Sequence, residues 1–397
     1  MKEPAVGFIA RNEFQFKQVE QLWQAYPSSK ALLVGNAVDW TEFLAAIPSE
    51  SRERFLILSY RQAVEIEGDF DVLFFQTPFP LIEEINSARL VCVQYGLAKE
   101  RHNYGEWHSL ADMNLMYGDY SAAAVAHFSP SYAVGNLKFA GWEVCEEASE
   151  KRKAAVQLGL RPDRATILYM PTYNELGSLM RLLEPLSHVA QSYNVVIKAH
   201  HNQEKNGDTS WRQKAKEFGF CHLFGASANQ RELLNAADVV ISDFSGAIFD
   251  ALYAQVPVVL FQEDAASAVG IQKFNLHSIE YRRRHELGVV CEDPTTLRHC
   301  IEQALHRSVA EREKLQALRS ELMIDCAKVD VIKLAQSKVR DLLDGRVPAL
   351  SKSQFYVREL VKMARSGERQ LQSVQKKNSK RLVGVARWLT WLNRFLG

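Results

Sequence analysis

A chain of 397 residues is too long for one ordinary hydrophobic core and predicts two domains of roughly 150–200 residues each. Its 47% hydrophobic and 24% charged residues are those of a soluble globular protein. The net charge of +1 hides an asymmetry: residues 351–397 hold 11 Lys/Arg against Glu359 and Glu368, about +9, leaving about −8 for the rest and excluding a basic nucleic-acid-binding body.

In chain order, the first half offers short apolar runs at 5–10, 30–35, 54–59, 71–76 and 90–96, with helical spacing at 16–26 and 39–47. A charged stretch near 145–163, "EEASEKRKAAVQLGLRPDR", predicts the break between halves. Beyond it, strands are expected at 165–171, 194–200, 221–225, 238–242, 256–261 and 287–291. Helices are expected at 176–191, 210–218, 228–236, 246–254 and 294–306. Strands alternating with helices predict parallel sheets covered on both faces. The expected fold is therefore α/β of the GT-B type. Two Rossmann-like doubly wound domains, 1–150 for the acceptor and 151–345 for a nucleotide donor, face each other across a cleft.

Residues 346–397 are expected to form a basic amphipathic helical tail. Leu382, Val385, Leu389, Leu392 and Leu396 recur at helical spacing, Trp388, Trp391 and Phe395 widen the stripe, and Arg387 and Arg394 are among its cations. Such a helix suits an anionic membrane surface. The plainer readings are a helix docked on its own protein, or a dimer contact. Six cysteines without CxxC spacing read as reduced thiols. The stretch "MKEPAVGFIARNEF" lacks the marks of a secretory signal, and no run approaches the ~20 apolar residues of a membrane span. Together these predict a cytoplasmic protein, peripheral on the inner face of the plasma membrane.

Two strand ends carry candidate chemistry. In "VVISDFSGAIFDALYAQVPVVLF" (239–261) a strand ends at Ser242-Asp243 and a short turn opens a helix, with Ser245 as expected N-cap and Gly246 admitting a close ligand. The amides there suit a phosphate, and Asp250 follows on the same helix. An ordinary capped strand–turn–helix explains the same residues. In "IKAHH" (197–201), Lys198 and His200 share one face of a strand and suit a diphosphate. A polar strand end is the plain alternative, and a metal site lacks further ligands at matching spacing. "LYMPTYNELGS" (168–178) ends a third strand at Pro171-Thr172, and the segment after Gln94-Tyr95-Gly96 offers Lys99, Arg101, His102 and His108.

Taken together, "MPTY", "IKAHH", "NQRELLNAADVVISDFSGAIFDAL" and "PVVLF" resemble the CDP-glycerol glycerophosphotransferase family, which builds teichoic acids and related capsule polymers. The resemblance covers about 165–262. It implies that His200, Lys198, Ser245 and Gly246 contact the donor's phosphates, with His201, Pro171, Thr172, Asp243 and Asp250 on the donor side. It also implies a His-Gly-Thr element whose histidine is the acceptor base. Here Tyr95 stands at that position, and a phenol near pKa ~10 makes a poor base at neutral pH. His102 or His108 is then expected to serve, or the acceptor chemistry differs. His201 in place of the family's proline is a second departure.

The expected activity is transfer of a glycerol- or ribitol-phosphate unit from a CDP-linked donor to a lipid-linked glycan, releasing CMP, in wall or capsule polymer synthesis. The expected partners are the nucleotide-activated donor, the glycan acceptor and an anionic membrane surface. No metal, cofactor or nucleic acid is called for, and a homo-oligomer is compatible with the pattern. The alternatives are a glycosyltransferase using a UDP- or CMP-sugar, a nucleotide-sugar epimerase, and a non-catalytic GT-B scaffold.

Overall fold

A computed structural model describes residues 3–35, 40–173, 176–200, 202–203, 209–225, 228–262 and 277–395, and for 377–395 the backbone alone. The first sheet contains β1 (Val6–Ala10), β2 (Lys30–Val34), β3 (Phe55–Leu58), β4 (Val72–Phe75), β5 (Arg89–Val93), β6 (Met113–Met116) and β7 (Ser131–Ala133). All pair in parallel, in the order β3-β2-β1-β4-β5-β6-β7. The second contains β8 (Thr166–Tyr169), β9 (Asn194–Lys198), β10 (Leu223–Phe224), β11 (Val239–Ser242), β12 (Val258–Phe261) and β13 (Val289–Cys291). It is again wholly parallel, in the order β10-β9-β8-β11-β12-β13.

Central strands such as "VGFIA", "VLFF" and "VVLF" are buried along their whole length. Continuous apolar runs, rather than alternating ones, are what helices on both faces of a parallel sheet require. The strand order reverses between β1 and β4, and again between β8 and β11. In doubly wound sheets those reversals open crevices at the carboxyl ends of the strands. Two strands escape the expected list. β6 ("MNLM") and β7 ("SYA") carry no Val, Ile or Phe, so composition gave no signal. The six cysteines are free thiols.

One apolar core runs through both domains, joining Leu22 and Tyr117 of the first to Leu252 and Tyr253 of the second. Separate clusters cover the far faces of the two sheets. Past the helix Val309–Leu322 the chain returns to the first domain, where the Ile324 amide donates to the Tyr117 carbonyl at 2.9 Å. The helix Val331–Leu343, within the span 151–345, then lies against the helix Glu13–Gln24, and Gln336 Nε2 donates to the Ala25 carbonyl at 2.8 Å.

The tail is one helix, Lys352–Phe395. Its first half docks on the outer face of the first domain. Arg358 donates to the Ser109 carbonyl at 2.6 Å and pairs with Asp112 at 3.0 Å. Arg365 donates to the Phe79 carbonyl at 2.9 Å, Arg369 pairs with Glu83 and Glu84, and Val361 is buried beneath. Docking on its own protein thus describes this half. The side chains of Arg387, Trp388, Trp391 and Arg394 lie outside the described residues. Among the described residues no helix is long and apolar enough to cross a membrane.

Candidate active site

The carboxyl ends of β8, β9 and β11 face the loop after β5 and the start of the helix Glu13–Gln24 across a cavity of about 320 Å³. From the second domain, Pro171, Tyr173, Lys198, His200, Ser245, Gly246 and Asp250 line it. From the first come Phe14, Tyr95, Lys99, His102 and Lys138. Lysines from both domains therefore meet in one cleft, which suits an anionic substrate.

Lys198 is the last residue of β9, and His200 follows two places on, facing the same space. The His200 ring stacks on Tyr173 with centroids 4.5 Å apart and planes at 25°. The Asn202 amide donates to His200 Nδ1 at 3.1 Å. That bond places the imidazole proton on Nε2, where it can serve a phosphate oxygen. His201 lies outside the described residues.

The turn after β11 differs from expectation by one place. Gly246, not Ser245, is the N-cap of the helix Ala247–Tyr253, and Ser245 Oγ accepts from the Ala247 amide at 3.3 Å. A Cβ at Gly246 would stand in open space, so this is where a ligand can approach backbone closely. Asp250 lines the cavity but is committed to protein. It pairs with Lys138 of the first domain at 2.7 Å and accepts from Gln230 at 2.7 Å. Its task is to hold the two walls together.

Asp243 and Thr172 need correction as donor contacts, because both lie behind the wall. Buried Asp243 accepts from the Thr172 amide at 2.8 Å, the Phe244 amide at 2.7 Å, and the Ser178 amide and hydroxyl at 3.0 and 2.8 Å. Burial pushes its carboxyl above the ordinary value, and those four bonds pull it back. The arrangement fixes the loop that carries Pro171 and Tyr173. Asp243 positions the site without lining it.

On the first-domain side, burial raises the Tyr95 phenol, so it stays protonated and does not act as a base. Its ring meets Phe14 edge-on at 5.9 Å. His108 is fully buried, with Nδ1 on Asn114 at 2.8 Å and Nε2 on the Asn103 carbonyl at 2.7 Å, and it is absent from the cavity wall. His102 does line the cavity. Burial, then the nearby Lys99 and Arg11, holds its pKa below the ordinary value, so it is neutral at pH 7.

Sequence reading took Lys99 as one cation among several. The structure gives it a special place. Lys99 adopts the left-handed backbone region with φ 61°, and its ammonium crosses the cleft to Thr172 Oγ1 at 3.3 Å. Its amide donates to Glu280 Oε1 of the second domain at 2.7 Å. Burial raises the Glu280 carboxyl to about 7, and its Oε2 has no hydrogen-bond partner among the described residues. Beside it, Glu100 Oε1 accepts from the Ile279 amide at 2.9 Å and from Tyr120 at 2.7 Å. Lys99, Glu100 and Glu280 thus clasp the domains next to the cavity. No short motif marks the pairing, because its members lie 181 positions apart. Among the described residues no three His, Cys, Asp or Glu side chains are grouped to hold a metal.

Two parallel Rossmann-like sheets facing across a cleft lined by lysines of both domains are the GT-B arrangement. Residues 143–323 match the family described as CDP-Glycerol:Poly(glycerophosphate) glycerophosphotransferase, and that match supports a glycerophosphotransferase-like transferase. The wall teichoic acid polymerase TagF, in a variant soaked with CDPG, aligns with a TM-score of 0.58 at 14% identity, over 86% of this chain and 90% of that one. HepE from Anabaena, in complex with UDP and glucose, aligns with a TM-score of 0.51 at 12% identity, over 85% of this chain and 99% of that one. At such identities the likeness speaks for the fold. No curated protein matches in sequence.

Proposed function

We propose that this cleft transfers a phosphopolyol unit, glycerol phosphate or ribitol phosphate, from a CDP-linked donor to the hydroxyl of a lipid-linked glycan. The observation that carries the reading is the meeting of a neutral His102 from one domain with Lys198 and His200 from the other around a single cavity. The acceptor oxygen attacks the β-phosphorus in line, forming a new O–P bond. The bond from that phosphorus to the bridging oxygen breaks, and CMP leaves. The hydroxyl proton passes to the His102 imidazole. Lys198, His200 Nε2 and the backbone around Ser245 and Gly246 stabilise the charge on the phosphates, with the Lys99 ammonium alongside. Tyr95, protonated, offers a hydrogen bond to the acceptor. Asp243 and Thr172 hold the donor loop, and nothing in this scheme calls for a metal.

The wider setting is wall or capsule polymer synthesis. The tail helix would keep the enzyme peripheral on the inner face of the plasma membrane, beside its lipid-linked acceptor. A second reading, sugar transfer from a UDP- or CMP-sugar, is favoured by one observation: Tyr95 stands where the family has its histidine. The test is nucleotide release from CDP-glycerol, CDP-ribitol, UDP-sugars and CMP-sugars, with His200→Ala in parallel. CMP release from a CDP-polyol, reduced about 100-fold or more in the variant, is the expected result. UDP release from a sugar nucleotide would select the second reading.

A further inference from the structure

We propose that the docked half of the helix Lys352–Phe395 itself lies on an anionic lipid surface, so that the first domain is held against the bilayer in one fixed orientation. This rests on the membrane reading above, whose named contacts lie in the last two dozen residues, and carries it to the part of the helix whose side chains are described. Tyr356, Leu360, Met363, Leu371 and Val374 are each between 52% and 70% exposed. With Gly367 between them, their intervals of three and four residues put them on one face of the helix. The other face is occupied, since Arg358, Val361, Arg365 and Arg369 fasten it to the domain.

Single exposed apolar side chains are ordinary on a protein surface, whereas a contiguous stripe of them marks an interaction surface. The same helical positions continue as Leu382, Val385, Leu389 and Leu392. The described stripe runs from Tyr356 to Val374, roughly 27 Å of helix. Charge decides what covers it. In the docked half Arg358, Arg365 and Arg369 pair with domain carboxylates, and Lys352 and Lys362 balance Glu359 and Glu368. The helix continues into residues 376–397, which hold six Lys/Arg and no Asp or Glu. A second copy would bring those like charges side by side, while an anionic headgroup layer complements them. Three arginines bind the proximal half to the domain through carboxylates and carbonyls. The body therefore cannot swivel independently of the lipid contact.

The experiment measures sedimentation of the full chain with phosphatidylglycerol vesicles and with phosphatidylcholine vesicles. Two variants accompany it, Leu360→Ser/Met363→Ser/Leu371→Ser and a deletion of residues 376–397. Serine adds no charge and the sites are exposed, so melting temperature and nucleotide release from a soluble assay should match the parent. The triple variant should lose about 10²–10³-fold in affinity for phosphatidylglycerol vesicles, near tenfold per residue. The deletion should weaken binding yet keep it above the phosphatidylcholine level. A triple variant that binds like the parent, or a deletion that abolishes binding, overturns the proposal while leaving the distal contact standing. A parent that ignores phosphatidylglycerol removes the membrane reading itself. A parent that is dimeric without lipid, and a triple variant that is monomeric, would assign the stripe to a second copy.

Discussion

Replacing Glu280 by glutamine tests the physics of the interdomain clasp. Glu280 is 3% exposed, and its Oε1 accepts from the Lys99 amide at 2.7 Å. Glutamine keeps that acceptor and removes the ionisable group. Burial raises the folded-state pKa from 4.5 to about 7. A carboxyl shifted upward stabilises the fold as the neutral acid. Its contribution is complete below about pH 4.5 and is lost as pH rises through about 7. At roughly 1.4 kcal/mol per pKa unit, the shift makes ionisation inside the protein cost about 3 kcal/mol. Glutamine escapes that cost, although Lys99 and Arg284 lose a favourable negative charge nearby. The variant should therefore match the parent near pH ~4 and exceed it by up to ~3 kcal/mol above pH ~8. Thermal melts followed by circular dichroism across that range read the difference directly. A constant offset at every pH, or a variant less stable than the parent above pH ~8, would refute the reasoning.

Two further outcomes are expected. His102→Gln should lower kcat/KM by about 10²–10⁴-fold and flatten its acidic limb, which in the parent is displaced to lower pH than an ordinary histidine gives because burial and Lys99 depress the imidazole. An intact acidic limb in the variant would place the base elsewhere. Gly135→Ala should cost about 2–3 kcal/mol in a denaturant titration, since Gly135 has φ +93° and an added Cβ would stand 2.5 Å from Val331 Cγ1. An unchanged midpoint would mean the returning helix yields at that contact.

Much of this architecture was written in apolar runs. The strands from "AVGFIA" to "LGVVC" were legible because parallel strands buried on both faces need unbroken Val, Ile, Leu and Phe. β6 and β7 were not, because methionine, asparagine and serine fill them. Cavity-lining residues such as Lys198, His200 and Gly246 were legible since strand ends in such folds point at the cleft. Asp243 and Thr172 sit within two residues of the cavity wall, yet they hold the loop, the Thr172 amide donating to Asp243 at 2.8 Å. The clasp of Lys99 with Glu280 was invisible because pairing across two domains has no local period. Likewise, the tail's basic character was plain, but only packing revealed which arginines serve the protein and which face stays open.

The way the chain enters and leaves its second sheet has a consequence for how the molecule is made. Past the second sheet the chain comes back to the first domain, where the helix Val331–Leu343 and the docked half of Lys352–Phe395 complete its surface. A ribosome therefore delivers the whole second sheet before the first domain has all of its own residues. Until those helices are made, the apolar flank of Glu13–Gln24 and the groove for Val361 stay uncovered. A chain stopped before Val331 would leave both of those first-domain surfaces open to water.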